Sequence, residues 1–136
     1  MRAANALAVA LYRRSNGRIG GSAKGTPVLL LTAPGRKTGT PHTVAVAYFE
    51  HNGGYLVTGS AGGAKRDPQW IRNLRATPRA HIQVGAEQID VEVRVTHAAE
   101  RDELWRNVVT AQKPFFARYQ EKAGRLIPVA ELTPLR

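Results

Sequence analysis

The sequence predicts a mainly β fold, a closed or split barrel of about six short strands with flanking helices. Several apolar segments are short and alternate between apolar and polar positions, as half-buried strands do. Glycine-containing turns such as His51-Asn52-Gly53-Gly54 join them as hairpins. Strands and helices do not alternate regularly, which disfavours a doubly wound parallel sheet. The chain of 136 residues is expected to form a single domain over 1–136.

An N-terminal helix and a glycine-rich turn are predicted over residues 1–21. Within the helix, over 2–14, Leu7, Ala10 and Leu11 fall on one face, which predicts the packed side. The glycines that follow suit a left-handed helix stop, and a loop is expected up to Pro27.

Strands account for most of the remaining chain. In the strand that starts at His42, side chains at even positions face one way and those at odd positions the other. The strand near residue 91 alternates cleanly and is expected to have one solvent-exposed face. The predicted strands are 28–32, 42–49, 55–58, 79–84, 89–96 and 126–132.

Three further helical segments are predicted between these strands. The first begins at Asp67-Pro68, with Asp67 as the N-cap and Pro68 at the first helical position, and ends before Pro78. The second covers 98–111, and a short one covers 114–122.

Composition and charge limit the classes of function. The formal net charge of +10 favours a polyanionic partner, whether nucleic acid, anionic lipid or an anionic cofactor. The chain has no cysteine, which excludes disulfides and thiolate chemistry, and its four histidines lack metal-ligand spacing, so no metal is expected. No segment is long enough for a membrane span, and no signal peptide is recognisable, so a cytoplasmic protein is expected.

The segment Pro34-Gly35-Arg36-Lys37-Thr38-Gly39-Thr40 follows an apolar strand and has the parts of a phosphate cradle. Glycines allow a tight turn, two cations supply charge, and Thr38 and the turn amides supply donors. Its spacing is neither that of a nucleotide-triphosphate loop nor that of a dinucleotide fingerprint. The alternative is a basic hairpin turn without a ligand.

A second glycine-rich basic loop covers 59–66 and leads into the helix at Pro68. If the strands before the two loops are neighbours, Arg36, Lys37, Lys65 and Arg66 converge on one anion. The alternative is that Lys65 and Arg66 are solvated surface charges.

The sequence contains no recognisable catalytic carboxylate pair and no serine-nucleophile elbow. A phosphate cradle without such groups indicates that a cofactor performs the chemistry while the protein binds, orients and supplies a proton. Ser60, Tyr48 and Tyr119 are the hydroxyl donors considered for that role, against simple packing or turn functions.

Five motifs in this order resemble the deazaflavin-dependent nitroreductase and quinone reductase family. They are Gly35-Arg36-Lys37-Thr38-Gly39, Gly54-Tyr55-Leu56-Val57, Ser60-Ala61-Gly62-Gly63-Ala64, Asp67-Pro68-Gln69-Trp70 and Asn73-Leu74-Arg75-Ala76-Thr77-Pro78. The resemblance implies a split β-barrel similar to flavin-mononucleotide-binding barrels. It also implies a reductase that passes hydride from the reduced deazaflavin coenzyme F-420 to a hydrophobic acceptor such as a quinone or activated alkene.

The resemblance also implies site residues. Ser60 would lie near the deazaflavin ring and Tyr119 would border the acceptor pocket, and these two are the expected catalytic residues. Coenzyme binding is assigned to Arg36, Lys37, Thr38, Gly39, His42, Ser60, Ala61, Gly62, Gly63, Lys65, Trp70 and Asn73.

Three positions depart from the family pattern. His42 stands where arginine is common, which implies weaker or pH-dependent phosphate binding. Ala61 stands where lysine is common, with Lys65 as a substitute. Phe116 stands where several nitroreductases have tyrosine, and phenylalanine cannot donate a proton, so quinones or enones are favoured over nitroimidazoles as acceptors.

Alternatives are a same-fold enzyme that binds flavin mononucleotide (FMN), a cofactor-binding protein without turnover and a nucleic-acid-binding barrel. The last is disfavoured because aromatic residues make up only 7% of the chain. The partners expected are therefore a small-molecule acceptor and no nucleic acid. A homodimer and a peripheral contact between the basic N-terminus and the inner face of the cell membrane are also considered.

Overall fold

The structure, a computed structural model, describes residues 2–135, so Met1 and Arg136 at the ends of the predicted domain lie outside it. Within residues 2–135, seven strands and five α-helices follow one another. The strands are β1 Ser22–Ala23, β2 Thr26–Pro34, β3 Pro41–His51, β4 Gly54–Thr58, β5 Arg79–Val84, β6 Glu87–Val95 and β7 Val129–Pro134. The helices are α1 Arg2–Ser15, α2 Gln69–Arg75, α3 Ala98–Leu104, α4 Thr110–Gln112 and α5 Phe116–Ala123.

Six of the strands form a closed antiparallel barrel. The order β2-β3-β4-β7-β6-β5 returns to β2 because β5 pairs with β2 through Leu31 and Ile82. The short strand β1 pairs with β2 outside this ring. The predicted split barrel with flanking helices is therefore confirmed.

The barrel interior is filled by alternate residues of every strand, as the sequence pattern requires. Leu29 and Leu31 of β2 face Val57, Ile82 and Leu132, and all five are buried. Val44, Val46 and Tyr48 of β3 pack against the same cluster, which confirms the alternation predicted for that strand. Ile71 and Leu74 of α2 also belong to this cluster.

The helices α1, α3 and α5 pack on the outer face of the barrel, whereas α2 packs against the interior cluster. Leu104, Trp105 and Phe116 pack with Phe49 and Leu56 in a second apolar cluster. The predicted helix over 98–111 is present but contains a π-helical turn over Trp105–Val109, between α3 and α4.

The packed side of α1 differs from the prediction. Val9 and Tyr12 are buried against Val28 and Leu30, whereas Leu7 and Leu11 are 61% and 38% exposed. The Tyr12 hydroxyl explains why this side of α1 faces the barrel, because it donates to the Val28 carbonyl at 2.9 Å and accepts the N–H of Gly85 at 2.8 Å.

Three other expectations are wrong in detail. The loop expected up to Pro27 contains β1 and the first two residues of β2. Asp67 does not cap α2, since the helix begins after Pro68 without a side-chain cap and Asp67 instead pairs with Arg75 and Arg125. The last strand begins at Val129 rather than Leu126, because its pairing with β4 and β6 starts there and Leu126 is 69% exposed.

Candidate active site

A cleft of about 270 Å³ opens on the outer side of the barrel, between the β1–β2 hairpin, β3, the second glycine-rich loop and α5. Apart from the cation Lys24, the residues that line it are small, aliphatic, aromatic or hydroxylated, and no acidic side chain is among them. They are Ala23, Lys24, Ala45, Val46, Ala47, Thr58, Ser60, Ala61, Gly62, Trp70, Phe115, Phe116 and Tyr119.

The second glycine-rich loop forms the floor of the cleft with a 3₁₀ turn over Ala61–Gly63. Gly63 donates its N–H to the Ser60 carbonyl at 2.8 Å, which closes the turn. A Cβ on Gly62 would meet nothing within 4 Å, so this side of the loop leaves open space for a ligand. A Cβ on Gly63 would lie 2.9 Å from Lys122 Cδ and 3.2 Å from the Tyr119 carbonyl oxygen, so α5 packs directly on the loop.

Hydroxyl groups enter the cleft from two sides. Ser60 is only 9% exposed, and Thr58 donates its hydroxyl to Ser60 Oγ at 3.3 Å. On the opposite side, Tyr119 Oη accepts a hydrogen bond from Lys24 Nζ at 3.0 Å. The two residues predicted to be catalytic therefore line one cleft.

Aromatic side chains form the apolar wall of the cleft. Phe116 packs edge to face on Phe49 with ring centroids 5.4 Å apart, and Tyr119 packs on Phe116 at 5.3 Å. Phe115 lies against both Phe116 and Tyr119. Edge-to-face packing of this kind holds the rings in place and presents a flat apolar surface.

The first basic loop is tied to α2 rather than left free in solvent. Arg36 donates its backbone N–H to Asn73 Oδ1 at 3.2 Å, and its Nη1 donates to the same oxygen at 3.0 Å. The same Nη1 donates to Gln69 Oε1 at 2.6 Å. Gln69 and Asn73 of α2 bind the basic loop, and Trp70 of the same helix lines the cleft. Helix α2 therefore connects the basic loop to the cleft.

The rest of that loop is a compact turn. Gly39 adopts φ of 78° and donates its N–H to the Gly35 carbonyl, and Thr38 Oγ1 accepts the N–H of Thr40 at 3.2 Å. Lys37 and Thr38 are exposed. The His42 side chain lies against Gly35, where a Cβ would be 3.0 Å from the imidazole Nε2.

The structure thus brings together two groups of the predicted residues. Ser60, Ala61, Gly62, Trp70 and Tyr119 line the cleft directly. Arg36 and Asn73 are bonded to each other, and Lys37, Thr38, Gly39 and His42 surround the same turn. Lys65 is exposed on the second loop and does not line the cleft.

Two functional candidates escaped the sequence analysis. Lys24 lies at the tip of the β1–β2 hairpin. The only feature of the sequence that indicated a turn there was the glycine that follows it, Gly25. Arg125 donates to the carbonyls of Gly59, Ala64 and Arg66, and so binds the second loop at both ends. Nothing in the sequence near Arg125 links it to a loop 60 residues earlier.

The family assignment follows from comparison with known proteins. The sequence profile of the F420H(2)-dependent quinone reductase family matches residues 5–134. The chain belongs to this family. The match confirms the family resemblance and, with it, the oxidoreductase class and the deazaflavin coenzyme.

Individual relatives agree with the family assignment. The chain is 37% identical to an F420H(2)-dependent quinone reductase of Mycobacterium tuberculosis over 127 residues, covering 91% of this chain and 85% of the relative. A solved structure described as an F420-H2 dependent reductase superposes with a TM-score of 0.68 at 34% identity, covering 78% of this chain and 93% of its own. Another, described as a domain-swapped dimer, superposes with a TM-score of 0.68 at 31% identity and covers 91% and 98%.

Proposed function

We propose that this family member transfers hydride from the reduced deazaflavin coenzyme to a quinone or a comparable enone bound in the cleft. The observation that carries the proposal is the arrangement of three parts. A cleft with the hydroxyl groups of Thr58, Ser60 and Tyr119 and an aromatic wall adjoins a glycine-rich loop, and α2 joins that cleft to a cationic turn. The family assignment over 5–134 supports the same activity.

The described residues fit an elongated, anionic, ring-bearing coenzyme. Arg36 and Lys37 supply charge for its phosphodiester, with turn amides near Gly39 as further donors. The open space beside Gly62 and the indole of Trp70 suit a flat ring. Asn73 fixes the cationic turn, and Gly63 lets α5 pack on the loop, so both act on the coenzyme site indirectly.

The coenzyme supplies the hydride when it is bound. The protein holds the acceptor close to the reacting carbon, at about 3–3.5 Å, which is the separation that productive transfer requires. Ser60 Oγ and Tyr119 Oη orient the acceptor oxygens. The aromatic wall, with buried Phe116 and half-buried Phe115 and Tyr119, limits the access of water from one side of the cleft.

The lining of the cleft also supports the choice of acceptor. Phe116 is 4% exposed and carries no hydroxyl, so it contributes surface rather than a proton. A planar apolar quinone matches that surface, whereas a nitro group would meet an apolar ring at Phe116 with no proton to donate. We therefore expect quinones to react faster than nitroimidazoles.

The experiment that tests this function is a titration with oxidised coenzyme and, separately, with FMN, followed by turnover of the reduced coenzyme with a naphthoquinone. Binding of the deazaflavin and quinone-dependent oxidation are the expected results. Binding of FMN alone would favour the same-fold flavin enzyme. Binding of the deazaflavin without any turnover would leave a cofactor-binding protein.

The partners and location proposed for the chain rest on fewer observations. None of the described helices is long and apolar enough to cross a membrane. Exposed Leu7, Leu11 and Ile19 lie near Arg14 and Arg18, which supports a peripheral contact with an anionic cytoplasmic membrane face. Sedimentation with anionic and with zwitterionic vesicles tests that contact. The neighbour described as a domain-swapped dimer supports a homodimer, which light scattering tests.

A further inference from the structure

Lys24 occupies an unusual place at the mouth of the cleft. It is the first of two residues, Lys24 and Gly25, that connect the paired residues Ala23 and Thr26 of β1 and β2. Both adopt positive φ, 51° for Lys24 and 75° for Gly25, as the mirror-image turns of tight hairpins require. Asparagine and glycine adopt this conformation readily, but a lysine there is strained.

The strained position points the lysine ammonium at the cleft. Lys24 Nζ lies 3.0 Å from Tyr119 Oη, 5.3 Å from the centroid of the Tyr119 ring and 5.8 Å from that of Phe115. Lysine is exposed at this tip, so its ammonium also contacts solvent. Strain of this kind at a ligand-binding site is a reason to look for a functional role.

The direction of the hydrogen bond has a chemical consequence. An ammonium group has three donors and no acceptor, so Tyr119 Oη must be the acceptor in its bond with Lys24. The hydroxyl proton of Tyr119 is then free for another acceptor. Tyr119 lines the same cleft as Ser60, so the proton is available to an oxygen atom bound there.

We propose that Lys24 is a positioning and proton-supplying residue for the acceptor half of the reaction, acting through Tyr119. This inference rests on the proposed function. Hydride adds one proton and two electrons to the quinone, which leaves one quinone oxygen as an anion. Tyr119 Oη–H gives its proton to that oxygen, Lys24 Nζ–H replaces it on Tyr119, and solvent protonates Lys24. The products are neutral hydroquinone and the original protein.

The positive charge also acts before the proton moves. The cleft contains no acidic side chain among its lining residues, so nothing there neutralises the Lys24 ammonium. An ammonium in a partly desolvated site stabilises negative charge that develops on the acceptor oxygen. Lys24 therefore favours the charged state of the acceptor over its neutral state.

The test uses Lys24→Asn and Lys24→Arg in the full chain. Asparagine suits the left-handed turn but removes the charge, so Lys24→Asn is expected to fold with an unchanged or higher melting temperature. Its kcat for quinone is expected to fall about tenfold or more, as for loss of an acid catalyst, with the coenzyme dissociation constant unchanged. Lys24→Arg keeps the charge and is expected to recover most of the activity.

A binding measurement gives a readout that does not depend on turnover. Hydroxynaphthoquinone, which is ionised at neutral pH, mimics the charged acceptor, and methylnaphthoquinone mimics the neutral one. Lys24→Asn is expected to weaken binding of the anion about tenfold, the loss that one charge-assisted hydrogen bond implies, and to change binding of the neutral quinone less than about twofold. Lys113→Asn is the matched control, because Lys113 Nζ lies beside the same hairpin, 3.6 Å from where a Cβ on Gly25 would be, but does not line the cleft.

The outcomes separate this inference from the proposed function. If wild type binds the coenzyme and reduces quinone while Lys24→Asn matches it in kcat and in anion binding, Lys24 has no such role. If Lys113→Asn lowers kcat and anion binding as much as Lys24→Asn does, any nearby positive charge has the same effect, and the role assigned to Lys24 is wrong. If wild type neither binds the coenzyme nor reduces quinone, the proposed function itself fails.

Discussion

Asn73 holds the first basic loop through a single oxygen atom, because its Oδ1 accepts both the backbone N–H of Arg36 at 3.2 Å and the Arg36 Nη1 at 3.0 Å. Asn73 is only 6% exposed, so the acceptor oxygen is buried although Arg36 itself is exposed. The amide side chain thus links the cationic turn to the helix that carries Trp70.

Asn73→Ala is expected to destabilise the protein by about 1–2 kcal/mol, because it leaves donors of Arg36 without their partner. Coenzyme affinity is expected to fall about tenfold, since the loop must then be ordered at the expense of binding energy. Denaturant unfolding and a coenzyme titration measure the two effects. Gln69→Ala, which removes only one exposed bond to Arg36, is the control and is expected to change both quantities less.

The double variant Arg36→Ala/Lys37→Ala is expected to weaken coenzyme binding strongly. Each lost charge-assisted contact contributes on the order of 1.5–3 kcal/mol. The dissociation constant of wild type is also expected to rise with salt more steeply than that of the variant. Arg14→Ala/Arg106→Ala removes two exposed cations elsewhere and serves as the control. Equal affinity in wild type and the loop variant would place the anion site elsewhere.

Gly62 and Gly63 provide a matched pair, because both have positive φ, 64° and 89°, but differ in their surroundings. Gly62→Ala meets no neighbour and is expected to cost about 1–2 kcal/mol of unfolding free energy from backbone strain alone. Gly63→Ala adds a clash with Lys122 and the Tyr119 carbonyl, so it is expected to lower the unfolding free energy by more than Gly62→Ala does. Chemical denaturation of both variants tests the order, and equal losses would mean that α5 does not press on the loop.

Arg125 provides a further prediction, since its side chain is 15% exposed and binds three loop carbonyls as well as Asp67. Arg125→Ala is expected to lower stability by about 2–4 kcal/mol and to weaken coenzyme binding, because the loop under the cleft loses its anchor. Arg125→Lys keeps the charge but not the forked donor geometry, so it is expected to recover only part of the loss. A melting curve for each variant, with and without coenzyme, measures both effects.

His81 makes stability depend on pH. Its two ring nitrogens bond Gln88 Oε1 at 2.6 Å and Asp90 Oδ1 at 2.8 Å, and these hydrogen bonds raise the pKa of His81 above 6.5. Both bonds are made only by the doubly protonated ring. Because the folded pKa is raised, the stabilisation is complete below pH 6.5 and is lost as pH rises through the folded pKa.

The size of that effect is small because the His81 side chain is 41% exposed and that of Asp90 75%. We expect about 0.5 kcal/mol for such a screened pair. Unfolding free energies measured from pH 5 to about pH 8 test this, and His81→Asn is expected to flatten the profile over that interval. A profile with the same slope in both proteins would assign the dependence to another group.

The sequence predicted the strands well because their alternation reflects which face is buried, as in Val44, Val46 and Tyr48. It did not predict the packed face of α1, because that face is set by the Tyr12 hydroxyl, which donates to the Val28 carbonyl and accepts the N–H of Gly85, and both partners are distant in the chain. Leu7 and Leu11 share helical periodicity without being buried.

The same limit applies to the site. The glycines and cations of both loops were visible as local motifs, and the family resemblance linked them to a coenzyme. The contacts made by Arg125 and by Lys24 join residues about 60 and 95 positions apart. Asp67 satisfied the pattern of a helix cap, yet two arginines bind its carboxylate. Such pairings depend on the folded arrangement and leave no local pattern.

Closure of the barrel limits how copies of this chain can pair through strand edges. Each of the six ring strands has a neighbour on either side, with β3 paired to β2 over 41–47 and to β4 over 48–51, and within residues 2–135 only the two-residue β1 has a single neighbour. An unpaired strand edge is the usual template for amyloid-like growth, and here no ring strand is left unpaired along its whole length. The closed ring therefore offers another copy of the chain only short stretches of free edge rather than a complete strand.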